Sequence, residues 1–161
     1  DPSLNFTVLH HFQIPDGAAP YAGVIRDAAG NLYGTTNVGG SSRNCLNGCG
    51  GVFKLDVHGN YAVLHTFNGT DGASPQADLI LNADGDLFGT TSGGGSSGDG
   101  VVFKLDRSGT ETVLHNFSGA DGQAPVAGLA RDAAGTLYGP TSAGGVASCY
   151  KSCGVVCTLS H

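Results

Sequence analysis

The sequence predicts an all-β chain of three tandem four-stranded antiparallel blade-like repeats, β-propeller-like in architecture. Two observations carry this. The run Leu87-Phe88-Gly89-Thr90-Thr91, a glycine loop, Val101-Val102-Phe103-Lys104-Leu105-Asp106 and Thr112-Val113-Leu114-His115-Asn116-Phe117 has an upstream copy in Leu32–Thr36, Gly51–Asp56 and Ala62–Phe67. A third copy starts at Leu137–Thr141 and ends in Val155–Leu159. Self-similarity with a period of about 50 residues marks a blade or solenoid. No segment sustains an apolar helical period either; the apolar residues fall in short β-branched and aromatic runs bounded by Gly and Asp-Gly.

The Asp that closes Phe-Lys-Leu-Asp sets the phase. It is Asp56 and Asp106, with Asp1 in the same register, so the single repeat domain 1–161 divides into repeats 1–55, 56–105 and 106–161. Each unit opens on a strand candidate, Phe6–Phe12, Tyr61–Phe67 or Glu111–Phe117, whose composition suits a pleated surface. A connection through Asp-Gly and Pro follows: Asp16–Pro20, Asp71–Pro75 and Asp121–Pro125. Asp bonds its own backbone and Gly accepts positive φ, which makes a turn. A hairpin comes next, Gly23–Arg26 with Asn31–Gly34, then Asp78–Leu81 with Asp86–Gly89 and Gly128–Arg131 with Thr136–Gly139. Its loop of a few residues ends in Gly, as hairpin closures do. The fourth strand is Val52–Leu55, Val101–Leu105 or Val155–Leu159.

These linked words resemble the GloVer-type tandem repeat of secreted, cell-surface bacterial proteins, and the likeness runs over essentially the whole chain. It departs at Pro140, at Cys157 and Thr158 in place of Phe-Lys, and in having no anchor segment. The resemblance implies an extracellular β-rich repeat protein. It brings no catalytic residues with it and names no ligand or cofactor.

Composition narrows the function classes. Charged residues make up 12% of the 161, and the formal charge of −6 argues against a nucleic-acid partner, which needs clustered Lys and Arg. No apolar run reaches the roughly 18 to 20 residues that span a bilayer. No signal peptide is present, so Asp1 reads as a processed or trimmed start. Five cysteines, with Cys45/Cys49 and Cys149/Cys153 each spaced Cys-x-x-x-Cys, fit an oxidising compartment. Sequons at Asn5, Asn68 and Asn116 agree with a glycoprotein at the cell surface or beyond it.

Each candidate site has a plainer competitor. His10, His65 and His115 recur in Val-Leu-His-x-Phe, with Asp16, Asp71 and Asp121 six residues on. No Ser or Cys nucleophile recurs with them, so a structural His–Asp pair is preferred to a catalytic one. Asn82-Ala-Asp84-Gly-Asp86 has the look of a calcium loop, but the same place in the other repeats lacks its acidic set, and a turn is expected. The paired cysteines are read as two local disulfides rather than as one four-cysteine zinc site, for which the spacing fits less well. Cys157 is left as a buried free thiol or a cross-chain disulfide. Tyr33, Phe88 and Tyr138 recur as ligand-stacking platforms or as filling between blades.

Three blades are fewer than the four to eight of a closed ring. Residues 150–161 offer a strand around Cys157 that needs a partner of the Phe6–Phe12 type, and a bare edge invites another chain. Two copies closing a ring, an open filament and a segment of a longer array all satisfy it. The expectation is a non-enzymatic extracellular structural protein that partners itself through terminal strands. The alternative is a lectin-like or ligand-binding module, with glycans as partners and one site per repeat.

Overall fold

The computed structural model describes residues 4–145 and 153–160. Eleven strands run in chain order: β1 (Ile25–Arg26), β2 (Leu32–Thr36), β3 (Gly51–Leu55), β4 (Tyr61–Thr66), β5 (Ile80–Leu81), β6 (Leu87–Thr91), β7 (Val101–Leu105), β8 (Glu111–Asn116), β9 (Ala130–Arg131), β10 (Leu137–Pro140) and β11 (Val156–Leu159). They form three antiparallel sheets, β1-β2-β3-β4, β5-β6-β7-β8 and β9-β10-β11, and no helix occurs among the described residues. The all-β, blade-like fold expected from the repeat is the fold observed. Sheet and repeat run out of phase. The strand that opens one repeat (β4 or β8) closes the sheet built by the repeat before it.

Local chemistry explains the hairpins. In four of the five tight turns an Asp carboxylate, and in the fifth the Asn82 amide oxygen, accepts the backbone N–H four residues on. These bonds are Asp27 with Asn31 at 2.8 Å, Asp56 with Asn60 at 2.8 Å, Asn82 with Asp86 at 2.8 Å, Asp106 with Thr110 at 2.9 Å and Asp132 with Thr136 at 2.9 Å. The residue before the last is Gly in each, and Gly30 at φ 94° shows why: the chain turns there through the left-handed region. In the strands, Gly34 and Gly89 lie opposite Phe53 and Phe103, and a Cβ on either would meet the Phe Cζ at 2.7 Å. The Gly of Leu-Tyr/Phe-Gly is therefore the hole into which the Phe of Phe-Lys-Leu-Asp fits. A bulge between Val52 and Phe53, repeated between Val102 and Phe103, shifts the register against β4 and β8.

The sheets are locked face to face by aromatic pairs. Phe12 meets Phe53 edge-on at 5.2 Å, and Phe67 meets Phe103 at 5.1 Å, so each Phe that follows Val-Leu-His-x packs on the next sheet. Phe67, Phe103 and Leu79 share one buried cluster with Val52, Leu87, Val101 and Leu105. Phe117 lies in a second cluster with Phe88, Val102 and Leu137, and Cys157 packs there where the other repeats place a Phe. The middle sheet is covered on both sides. β6 is buried at all five positions, whereas β10 alternates buried and exposed.

A second link crosses the sheets through the backbone. Ala19, Ser74 and Ala124, each just before a Pro, sit at φ 54°, 55° and 50°, a conformation that non-glycine residues rarely take. The Ser74 and Ala124 N–H groups donate to carbonyls of the preceding sheet's loop, Cys49 at 2.9 Å and Asp99 at 2.9 Å. Their own carbonyls accept from Ser92 at 3.2 Å and Ser142 at 3.1 Å.

One expected strand is not formed. Residues 6–12 carry the sequence of β4 and β8 but form no strand; β4 and β8 each pair with a Phe-Lys-Leu strand that precedes them, and the described residues offer 6–12 no such strand. Phe12 is still held by Phe53 and Tyr61, while Phe6 is 92% exposed. The mirror defect is at β11, which among the described residues pairs with β10 on one side only. Val52 and Val102, at 0% and 3% exposure, are covered in complete sheets, and their counterpart Val156 is 82% exposed. The first hairpin strands are also shorter than expected, starting at Ile25, Ile80 and Ala130.

The aromatic lock is directly testable. Phe67→Ala removes a fully buried ring that bridges two sheets, and should cost about 3–5 kcal/mol in urea unfolding.

Candidate functional site

The most chemically loaded places are the junctions where the His–Asp pair of one sheet meets the first residue of the next closing strand. In each repeat the Asp carboxylate first closes its own turn. Asp71 Oδ1 accepts the Asn68 N–H at 2.8 Å and its Oδ2 the Asn68 Nδ2 at 2.8 Å, while Asp121 Oδ1 accepts the Ser118 N–H at 2.8 Å. The imidazole then reaches the other oxygen: His10 to Asp16 at 3.4 Å, His65 to Asp71 at 3.2 Å and His115 to Asp121 at 2.9 Å. Each imidazole also stands edge-on to the Phe two residues later, at 4.9 Å in all three repeats. That geometry ties the turn to the end of the strand. The Ser118 N–H, with further help from its hydroxyl and from His115, holds Asp121 below the usual carboxylate range.

What covers the pair differs from repeat to repeat. Tyr61 lies flat on His10, with ring centroids 3.9 Å apart, and its hydroxyl donates to the Asp16 carbonyl at 2.7 Å. Burial, with the Asp16 charge behind it, pushes the Tyr61 phenol up to about 12. At the second junction the same register position is Glu111. Its carboxylate comes together with His65 and Asp71, with the nearest ligand atoms of the three within 4.8 Å of one another. Glu111 Oε1 is buried with no hydrogen-bond partner among the described residues. Burial first, and then the charge of Asp71, raise the Glu111 carboxyl from 4.5 to about 7. Reading the three repeats as columns marks this residue, since Phe6, Tyr61 and Glu111 share one position; a motif search on the Val-Leu-His-x-Phe landmarks passes over it.

The other expected residues are placed as follows. Cys45 and Cys49 form a disulfide, with Cα atoms 5.1 Å apart. Cys153 is disulfide-bonded as well, and Cys149 lies outside the described residues, as does Asp1. Cys157 is a free thiol that donates to the Gly139 carbonyl at 3.1 Å, and burial pushes it up. In the Asn82–Asp86 turn, Asp86 is paired with Lys104 at 2.9 Å and Asn82 closes the backbone, so these groups serve the turn. Asn5 and Asn68 are exposed; Asn68 Nδ2 is engaged by Asp71, and half-buried Asn116 caps the Ser96 N–H at 2.8 Å.

Tyr33 and Tyr138 donate their hydroxyls to Asp27 and Asp132, each at 3.0 Å. Tyr33 borders a cleft of about 620 Å³ between the first two sheets, with Lys54, Leu64, Leu87 and Arg107 also on its walls. One repeat later a smaller hollow of about 170 Å³ opens at Leu114, Gly135, Leu137 and Leu159. Phe88 is corrected as a stacking platform. It is 5% exposed, packed among Val102, Phe117 and Leu137, with the Arg131 guanidinium 5.7 Å from its ring centroid, because the third sheet covers this face of the second. Among the described residues no helix is long and apolar enough to cross a membrane.

Successive antiparallel sheets, packed face to face, the first two of them four-stranded and each begun by one repeat and closed by the next, define a repeat protein of the propeller-blade class. Within that class the chain belongs to the Gloeobacter/Verrucomicrobia repeat family, whose model matches residues 1–153. Virginiamycin B lyase from Staphylococcus aureus superposes with a TM-score of 0.52 at 12% identity, over 76% of this chain and 34% of the lyase, a likeness of fold alone. The chain thus spans about a third of that protein. A candidate gluconolactonase gives a TM-score of 0.46 at 20% identity, over 73% of this chain and 40% of the other. No curated protein matches the sequence.

The junction has a pH signature. Because the folded Glu111 carboxyl titrates above its ordinary 4.5, the native state holds its proton more tightly than the unfolded chain. Its contribution is fully present below pH 4.5 and lost as pH rises through about 7, with Asp71 and His65 facing it across the junction. In chelator-treated buffer, melting temperature should fall across that window, and Glu111→Gln should flatten the fall.

Proposed function

We propose that the chain is a non-enzymatic structural module that assembles with copies of itself, residues 6–12 of one copy completing the three-stranded sheet of another. The observation that carries this is the matched pair of defects among the described residues: Val156 bare at 82% on the open edge of β11, and a Val-Leu-His-x-Phe segment without a strand partner. The register of the complete sheets sets the joint. Val102 pairs with His115, Phe103 with Val113, Lys104 with Thr112 and Leu105 with Glu111. By the same rule Val156 would face His10, Cys157 Val8, Thr158 Thr7 and Leu159 Phe6. Added main-chain bonds supply affinity, and the alternate side chains supply selectivity. Repetition of the joint gives a two-copy ring where the rotation closes and a filament where it does not. The Cys45–Cys49 disulfide supports an extracellular or cell-surface location.

A ligand-binding module is the second reading, favoured by the clefts that recur between successive sheets. Glycan binding with one site per cleft would bring it forward.

The joint is tested by a cysteine placed across it. Opposed strand residues have Cα atoms about 4.5–5.5 Å apart, within disulfide range. Val8→Cys should therefore oxidise with Cys157 of another copy and give a ladder on non-reducing electrophoresis, absent when Cys157→Ser is added. The unmodified chain should sediment above monomer mass, and Val8→Pro should return it to monomer without unfolding it, since Val8 is exposed and unpaired in one copy. A wild-type monomer at all concentrations would overturn the reading.

A further inference from the structure

We propose that His65, Asp71 and Glu111 form a binding site for one divalent transition-metal cation of the zinc class, seated between the first and second sheets. The donor set comes from three separate pieces of backbone. His65 is on β4, Asp71 is in the turn that follows it, and Glu111 opens β8 of the next sheet. One imidazole nitrogen and two carboxylate oxygens, with Nε2 and Oδ2 already 3.2 Å apart, suit zinc better than calcium. Calcium takes six to eight oxygens, which this junction does not assemble.

Two observations besides the cluster point to a cation. Glu111 Oε1 is buried and has no hydrogen-bond partner among the described residues, and its neighbour Asp71 is a second carboxylate, an acceptor like itself. A buried acceptor without a donor is costly, and a cation would satisfy both oxygens at once. The first junction is an internal control. There Tyr61 fills the same place, stacks on His10 and finds its own acceptor in the Asp16 carbonyl, so no third charged donor faces the pair, although His10 Nε2, 3.4 Å from Asp16, is itself buried without a hydrogen bond among the described residues. The third His–Asp pair, His115 and Asp121, has no covering residue in the described chain and offers two donors only. Among the described residues the three-donor set thus occurs at one of the three junctions, and a metal there would tie two sheets together beside the Phe67–Phe103 lock. Its ligands lie away from β11 and residues 6–12, so the proposal stands apart from self-assembly.

The test uses the full chain, free of any affinity tag and stripped with chelator, titrated with zinc in a calorimeter. One site per chain is expected, with a rise in melting temperature on zinc addition and protons released on binding near pH 7. Glu111→Gln should weaken binding by about 10- to 100-fold or more, the scale on which supporting groups already act. Glu111→Tyr, which installs the residue of the first junction, should keep the fold by circular dichroism and abolish the zinc-dependent rise. Binding that is unchanged in both variants, as capture by other histidines would give, overturns the proposal. So does the absence of any zinc-dependent rise in the wild-type chain.

Discussion

The structure depends on one recurring contact, the ring that follows Val-Leu-His-x inserting against the Phe-Lys-Leu-Asp ring of the next sheet. The Phe-Lys-Leu-Asp ring that receives it needs a hole on the strand beside its own. Gly34 and Gly89 supply that hole, because a Cβ at either would strike the opposing Phe. The bulges beside Phe53 and Phe103 aim the closing strand, and the His–Asp pair fixes the turn immediately beyond it. Glycine, bulge, imidazole and ring are parts of one device that converts a single sheet into a stack. Where the device is altered, Cys157 stands in the place of that ring and packs with Phe88, Phe117 and Leu137.

Much of this was legible in the sequence, for reasons that can be named. The strands that form full ladders, β2, β3, β6 and β7, are the Leu-Tyr/Phe-Gly-Thr-Thr and Val-Phe-Lys-Leu words themselves, since repetition and β-branched content point the same way. The turns were legible because Asp, or Asn at one of them, and Gly do separate jobs at fixed offsets. Residues 6–12 show the limit of that reasoning. Their local preference is that of β4 and β8, but a strand is a pairing and not a property of seven residues. Phe88 shows another limit: the pattern gives its face, and only the stacking order tells that the middle sheet has neighbours on both faces. Glu111 escaped because nothing local distinguishes it. It matters through residues of another sheet, and only the contrast with Tyr61 at the same position makes it conspicuous.

The fold and the chemistry are distributed differently along the chain. Family membership and the likeness to a lyase propeller describe the scaffold, which all three repeats share. The His–Asp pairs are shared too, which marks them as part of that scaffold. What individualises this chain is found where repeats disagree: Tyr61 against Glu111, Phe103 against Cys157, Phe88 against Tyr33 and Tyr138. In a repeat protein such disagreements are the positions at which neighbours can be told apart, and each of them faces an adjoining sheet or a free edge.

The left-handed residues before proline carry a further consequence. Ser74 and Ala124 hold a conformation that costs on the order of 1–3 kcal/mol, and one of the backbone bonds that compensate it runs to the sheet before. Cut out alone, such a unit would keep the cost and lose the bond. Stability therefore belongs to adjacent pairs, and melting should spread along the stack as a domino run and not as independent events. The smallest piece able to fold is larger than the smallest piece that is repeated.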